Sequence, residues 1–458
     1  MTHGYMQTGT VSGYTGNPKY PDYGVDDYTA ASMAAAGNAL FVVNGGCPDD
    51  FASKPLVSVV DTDQDQQVGI VEHLSTCNPR VIAITPDGSK AYIATDTAIA
   101  IVDVNTRNQI GVVNNLPTGG ARIAPTAIAI SPDGSKAYVG CRILGGVLVI
   151  DLGSDKFTGL VQNLSIPGDP NGITYSTVYN VKFNPDPARH MAYITSWGSR
   201  VVAVIDTRTD TQTGQVQIPS AENGDAYYGM DFTPDGATAY VTVSNTSINK
   251  LMLLVVDVAT SAQKAEVKLS FDTDRTIVFT YAVAVSPDGK IAFALTQFGY
   301  GVDVVAVIDT ASNTQIATVA NYMGSNYAYL RILPQSPIAF AEKDGGTAYS
   351  VWHTWPRGDG ISIIQFVSLP ASITSVSPST GSVRGGTQLI ITGANFTHTT
   401  EVDFGGIPGV SLNVKSDSEL TVTTPPHDVG PVNVTVVNPG GNATVAGGYT
   451  YVTDIAPR

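Results

Sequence analysis

The sequence predicts an all-β chain, a seven-bladed β-propeller followed by a small C-terminal β-sandwich. Three observations carry this. Gly and Pro, at 46 and 27 of 458 residues, are spread along the chain rather than clustered, which calls for many turns. The acids are chosen for turns: of 39 Asp and Glu, Glu stands only at positions 72, 222, 266, 342, 401 and 419. Glu favours helices, whereas Asp bonds to its own backbone in turns. The third observation is an internal repeat with two markers in phase.

The first marker is a Pro-Asp-Gly turn between a short apolar strand and an Ala-Tyr pair. It reads Ile82-Ala83-Ile84-Thr85-Pro86-Asp87-Gly88-Ser89-Lys90-Ala91-Tyr92, then Ile128-Ala129-Ile130-Ser131-Pro132-Asp133-Gly134-Ser135-Lys136-Ala137-Tyr138. Degenerate copies carry Asp186, Asp235, Asp288 and Asp344, so the aspartates are spaced by 46, 53, 49, 53 and 56 residues. The second marker is an apolar run ending in Asp, at Asp61, Asp103, Asp151, Asp206, Asp257 and Asp309. Pro presets φ and Gly accepts positive φ, so Pro-Asp-Gly closes a tight hairpin. Each period holds four short β runs; in the third unit they are Thr126 to Ile130, Ala137 to Gly140, Gly146 to Ile150, and a run near Leu160 and Val161. Four strands in a unit of about 40–50 residues describe a propeller blade. Six units have clear markers. The worn run Ala39 to Val43 starts the first of them, and Ala348 to Val351 with Ile361 to Ile364 forms a worn last unit, for seven blades. Gln7 to Val11 reads like the fourth strands of other units, for example Gln315 to Val319, and is expected to complete the last blade.

These repeats resemble the YVTN family of seven-bladed propellers of bacterial periplasmic and archaeal cell-surface proteins. Tyr240-Val241-Thr242-Val243 and Tyr92-Ile93-Ala94-Thr95 stand close to the name-giving tetrapeptide, and Ile205-Asp206-Thr207 and Ile308-Asp309-Thr310 match its strand end. The resemblance covers roughly residues 27–367 and implies a fold rather than an activity. From Pro370 the pattern changes. Ser377-Pro378-Ser379-Thr380-Gly381, Gly385-Gly386-Thr387, Ile390 to Phe396, Val402 to Gly406, Thr424-Pro425-Pro426 and Val436 to Gly441 are similar to the IPT/TIG immunoglobulin-like domain, which implies a spacer or protein-contact module. Alternation over Leu420 to Thr424 and Val432 to Val436 supports a β-sandwich independently. The expected domains are 1–367 and 370–452, joined by the short Ser368 to Ser372 segment.

A net charge of −15 argues against nucleic-acid partners, whose phosphates need clustered Lys and Arg. No apolar run approaches the roughly 18 residues of a membrane span. Met1 to Pro18 lacks the apolar core of a signal peptide. Sequons at Asn163, Asn245, Asn395, Asn433 and Asn442 and a Thr-rich, Lys-poor composition point to an extracellular, cell-surface or periplasmic protein.

Asp61-Thr62-Asp63-Gln64-Asp65 with Glu72 imitates a calcium loop, but Gln66 replaces the required Gly and no helices flank it; a solvated turn is the competing reading. The six histidines show no metal-ligand spacing, and no haem, nucleotide or hydrolase motif is present, so neither metal nor cofactor is expected. His353, between Trp352 and Trp355, is either a base or a polar loop residue. Cys47 and Cys77 fall in loops of one face and are expected to pair, with free thiols as the alternative; Cys141 is the odd thiol.

Stacking the repeats at the start of the innermost strand gives the column Tyr28, Arg80, Thr126, Tyr179, Tyr228, Tyr281 and Pro337. Connections on that face add Tyr327, Arg122 and Arg331, and loops add Trp197, Trp352 and Trp355. Tyr and Trp suit stacking on sugars or anchoring a peptide, and Arg suits carboxylate or hydroxyl groups. The competing reading wedges the column aromatics between blades. The expected function is a non-enzymatic binding protein whose mouth takes a glycan or protein partner. The alternatives are a lyase- or lactonase-type enzyme at the same mouth, using His353 with Asp359, or a structural component of a surface layer or fibre.

Overall fold

The computed structural model describes residues 4–13, 32–44, 57–72, 74–76, 78–117, 122–141, 146–161, 164, 178–196, 201–216, 226–245, 250–271, 277–298, 302–321, 338–340, 348–354, 358–367, 370–396, 399–416, 418–438 and 441–453. Among them the chain is all-β, with one 3-10 turn at Pro187–Arg189. It divides into two compact units, one of residues 7–365 and one of residues 1–6 with 366–458.

Strand β1 (Gly4–Thr10) is followed by six antiparallel four-stranded sheets in chain order. They are β2 (Ser32–Ala36), β3 (Ala39–Val43), β4 (Val57–Asp61) and β5 (Gln66–Ile70); β6 (Val81–Ile84), β7 (Lys90–Ala94), β8 (Ile99–Asp103) and β9 (Gln109–Val113); and β10 (Pro125–Ile130), β11 (Lys136–Cys141), β12 (Gly146–Asp151) and β13 (Lys156–Val161). The next three are β14 (Val178–Phe183), β15 (Met191–Ser196), β16 (Ala203–Asp206) and β17 (Thr211–Gln215); β18 (Ala226–Phe232), β19 (Thr238–Asn245), β20 (Lys250–Asp257) and β21 (Ala262–Lys268); and β22 (Ile277–Val285), β23 (Ile291–Phe298), β24 (Val302–Asp309) and β25 (Thr314–Asn321). A further sheet joins β26 (Ile338–Phe340), β27 (Ala348–Thr354) and β28 (Gly358–Val367) to β1, which lies beside β28. The first strand of each sheet neighbours that of the next, and β26 neighbours both β22 and β2. The arrangement is propeller-like, with cores between successive sheets such as Tyr138, Val149, Val181 and Ile194.

Both repeat markers act as the local chemistry demands. In the Pro-Asp-Gly turns Asp87 Oδ1 accepts from the Thr85 hydroxyl at 2.6 Å and from the Ser89 amide at 3.0 Å. These bonds hold its carboxyl down at about 2. Gly88, Gly134, Gly236 and Gly289 all sit at φ between 65° and 74°, where a Cβ is strained. In the Asp turns Asp103, Asp151, Asp257 and Asp309 each accept from the amide three residues on. The fourth residue after the Asp takes positive φ: Asp65, Arg107, Asp155, Asp210, Ser261 and Asn313 lie between 51° and 60°.

That left-handed residue is the acceptor of a latch between sheets. The Tyr of the Ala-Tyr marker is fully buried on the second strand, and in four sheets its hydroxyl donates to the Asp turn of the next sheet, whereas the Tyr193 hydroxyl donates to Met191 Sδ at 3.7 Å. Tyr92 reaches Asp155 and Tyr138 reaches Asp210. Tyr240 reaches Asn313 at 2.8 Å, and Tyr349 reaches Asp65 at 2.6 Å. Lys90 and Lys136 add ion pairs to the same Asp155 and Asp210 at 3.1 and 2.8 Å. Phe stands at this register position in two places. In the sheet after Phe41 the equivalent turn residue is Arg107, whose guanidinium donates to Val68 O at 3.1 Å and supplies no carboxylate or amide acceptor; after Phe293 the next sheet has no such turn, because β28 and β1 come from opposite ends of the chain. Tyr138→Phe is expected to lower stability by about 1.5 kcal/mol in urea titrations, the scale of a bond to a charged acceptor. In an Asp210→Ala background Tyr138→Phe is expected to cost little further; an undiminished cost in that double-mutant cycle would refute the latch.

The second unit is a β-sandwich. One sheet is β29 (Ser372–Ser377), β31 (Gln388–Ala394), β35 (Glu419–Thr423) and β34 (Val410–Ser416). The other is β30 (Thr380–Ser382), β37 (Ala443–Val452), β36 (Gly430–Val437), β32 (Glu401–Phe404) and β33 (Ile407–Pro408). Alternate residues Leu389 and Ile391, and Val432, Val434 and Val436, turn inward onto Phe396, Phe404, Tyr449 and Tyr451. Gly385 is required: at φ 74° its Cβ would lie 2.6 Å from the Pro425 backbone.

Candidate functional site

In each sheet the first strand begins, and the second ends, at one end of the ring; the Pro-Asp-Gly and Asp turns occupy the other. At the first end four of the seven column residues read from the sequence share a backbone cause. The β10–β11, β14–β15, β18–β19 and β22–β23 ladders each break register there, between Pro125 and Ala127, Val178 and Asn180, Tyr227 and Met230, and Thr280 and Ala282. Thr126, Tyr179, Tyr228 and Tyr281 are therefore bulge residues. A bulge bends its strand and re-aims a side chain, which is why bulges gather beside sites. Thr126 is buried and donates to Val178 O at 2.6 Å, tying its sheet to the next; Tyr179 is half-buried.

Arg80 and Arg122 meet on a residue that sequence reasoning passed over. Asp96, in the tight β7–β8 loop and 4% exposed, accepts from Arg80 Nε at 2.5 Å and from Asn78 Nδ2 at 3.1 Å, and pairs with Arg122 at 2.6 Å. Arg80 is buried with it, whereas the Arg122 side chain stays 52% exposed. Arg80 thus organises the mouth from beneath, and Arg122 is the cation presented to solvent. The signal was available: an Asp in a four-residue loop at the strand end, level with Arg80 in the register.

The other expected residues divide in two. Tyr228 and Tyr281 lie on β18 and β22, and Trp352 and His353 on β27, with His353 directly opposite Asp359 in the β27–β28 register. Tyr28, Trp197, Tyr327, Arg331, Trp355 and the Cys47–Cys77 pair lie outside the described residues. Cys141 is buried as a free thiol, and burial pushes its pKa up. In the calcium-like loop Asp61 accepts from the Asp63 and Gln64 amides, and Asp65 from Tyr349, so these carboxylates do the work of a turn and a latch. Of the sequon asparagines, Asn245 is buried at 1%, while Asn433 and Asn442 are exposed.

The turn end of the ring holds a cavity of about 590 Å³. First strands of six consecutive sheets line it, so it lies on the axis they surround, and Pro86, Pro132, Pro185, Pro234 and Pro287 form its rim. The first-strand residue paired with the latch aromatic is Ala34, Ala83, Ala129, Ala284 and Ala339 in five sheets. In the two remaining sheets, adjacent to each other, it is Lys182 and Asp231. Lys182 Nζ lies 3.3 Å from Asp231 Oδ1, and Asp231 Oδ2 accepts from the Val285 amide of the following sheet at 2.9 Å. Sequence reasoning treated this turn end as uniform and missed the pair.

Among solved structures, the chain is similar to Kuenenia stuttgartiensis Hydrazine Synthase, at TM-score 0.55 and 18% identity over 76% of this chain and 99% of that one; this likeness is one of fold, a propeller-like all-β architecture. Among curated proteins it is 40% identical over 75 residues to Transcription factor unc-3 of Caenorhabditis elegans, an alignment that spans only 15% of either protein. The family model for the IPT/TIG domain matches residues 371–453, which coincide with the β-sandwich. The chain therefore joins a propeller-like β unit to an IPT/TIG domain.

Proposed function

We propose that this chain is a non-enzymatic binding protein of the cell surface, periplasm or extracellular space. On this reading the first unit is a seven-bladed propeller of the YVTN type, closed by β1, and its strand-start mouth takes a glycan or peptide. The IPT/TIG domain serves as spacer or contact module. The observation that carries the reading is the bulge column: four sheets place Thr126, Tyr179, Tyr228 and Tyr281 in bulges at one end, and the sequence segments that join the strands there differ in length. Variable loops on a rigid scaffold are where recognition resides. The proposed contact set is Tyr28, Tyr179, Trp197, Tyr228, Tyr281, Tyr327, Trp352, His353 and Trp355, with Arg122 and Arg331 as cations and Arg80 beneath. A glycan and peptide array identifies the ligand. Trp352→Ala with Tyr281→Ala is then expected to weaken it at least about tenfold while moving the melting temperature little. Undiminished binding by that double variant places the site elsewhere.

The register of His353 opposite Asp359 supports a second reading, an enzyme of the lyase or lactonase type at the same mouth. Turnover of a lactone or uronate substrate that His353→Ala abolishes would favour it over simple binding.

A further inference from the structure

We propose that the axial cavity at the turn end is a second binding site, for a free α-amino acid. The first argument is that the fold does not need charge there. Five sheets satisfy the position with alanine, and a part-exposed ion pair contributes little to stability. Asp231 has a structural duty to Val285, but Lys182 has none comparable. Among the described residues Asp231 is its single partner, at 3.3 Å, and an ammonium carries three donors. Lys182 Nζ thus offers hydrogen bonds to the cavity.

The second argument is charge pattern. A Lys and an Asp side by side complement a group with a carboxylate and an ammonium one carbon apart: Lys182 donates to the carboxylate and Asp231 accepts from the ammonium. The turns around the rim carry Asp87, Asp133, Asp235 and Asp288, each with its carboxyl held low by hydroxyl and amide donors and hence ionised. That acidic rim disfavours a plain anion and tolerates a zwitterion.

The third argument is the wall. Ala34, Ala83 and Ala129 leave the wall uncrowded, the five rim prolines add small apolar surfaces to an otherwise polar lining, and about 590 Å³ lies within the range of small-molecule sites. Such a volume takes an aromatic side chain together with bound water.

Calorimetric titration of the full chain with L-phenylalanine tests the proposal. One saturable site is expected, with affinity reduced at least about tenfold in Lys182→Ala and in Asp231→Asn. Lys182→Ala installs the residue that five sheets already carry, so its melting curve is expected to match that of the parent. 3-Phenylpropanoate, lacking the ammonium, and phenethylamine, lacking the carboxylate, are each expected to bind at least about tenfold more weakly. The Trp352→Ala, Tyr281→Ala double variant is expected to bind L-phenylalanine normally, separating this site from the opposite mouth. The proposal is overturned by the absence of saturable heat up to about 10 mM, by full binding in Lys182→Ala, or by 3-phenylpropanoate binding as tightly as phenylalanine.

Discussion

Removal of residues 1–15 is expected to lower the melting temperature by about 10 °C or more. The deleted segment supplies β1, the strand beside β28, and its loss exposes a row of unpaired backbone groups. It also supplies Val11, 6% exposed in a cluster with Met33, Leu40, Val42, Val60, Tyr349 and Ile363. Ser12 then ties the segment to the first sheet: its amide donates to Asp65 O at 2.8 Å, and it accepts from the Gln67 amide at 3.0 Å. Burying one Val contributes about 1.5–3 kcal/mol and each net hydrogen bond about 1 kcal/mol. The sum reaches several kcal/mol, and each shifts the midpoint of a large domain by a few degrees. A synthetic 1–15 peptide added to the truncated protein is expected to recover part of the loss. An unchanged melting curve would show that the segment is not needed to hold first and last sheets together.

The second large effect is expected from Asp96→Ala, a loss of about 3–5 kcal/mol or failure to fold. The substitution takes away the buried carboxylate on which Arg80, Asn78 and Arg122 converge. Removing one partner of a buried pair costs more than removing both, because the charge left behind has lost its water as well as its partner. Asp96→Leu combined with Arg80→Met is therefore expected to be more stable than Asp96→Ala alone. Equal loss in the two variants, measured by urea unfolding, would mean that the pair acts only through packing. Since Arg122 hangs on the same carboxylate, Asp96→Asn is also expected to loosen the mouth at constant fold.

The repeat was legible because its parts act locally. Pro-Asp-Gly closes a hairpin through an Asp that bonds within two or three residues, and Gly88 takes the positive φ that the turn requires. The Asp turns are read the same way, and so is inward alternation in Leu389 and Ile391 of the sandwich. Tyr92 and Tyr138 were legible as markers but not as latches. Their acceptors lie 63 and 72 residues away, in the next sheet. Once the ring is known, Phe41 and Phe293 become the exceptions that follow from it.

The site was legible only in part. Four residues of the stacked column share a backbone feature, a bulge in their ladders, that appears only when register is known. Arg80 and Arg122 read as free cations in the sequence because Asp96, 16 residues from Arg80, comes level with it only once the register of the β6–β7 hairpin is read. The turn end read as featureless because Lys182 and Asp231 stand alone in their own repeats; only aligning residues across from the latch aromatic shows alanine in the other five.

The sequence by itself determined the all-β class, the repeat, the turn chemistry and the change to an IPT/TIG domain at about residue 371, since each rests on interactions among residues close in the chain. The tertiary structure alone decided which residues meet: Tyr349 with Asp65 across 284 residues, Asp96 with two arginines, and Lys182 with Asp231 on the axis. The physical reason is that a ring of sheets brings equivalent positions of successive repeats side by side. Contacts at that distance are set by the number, twist and register of strands, which no single repeat encodes.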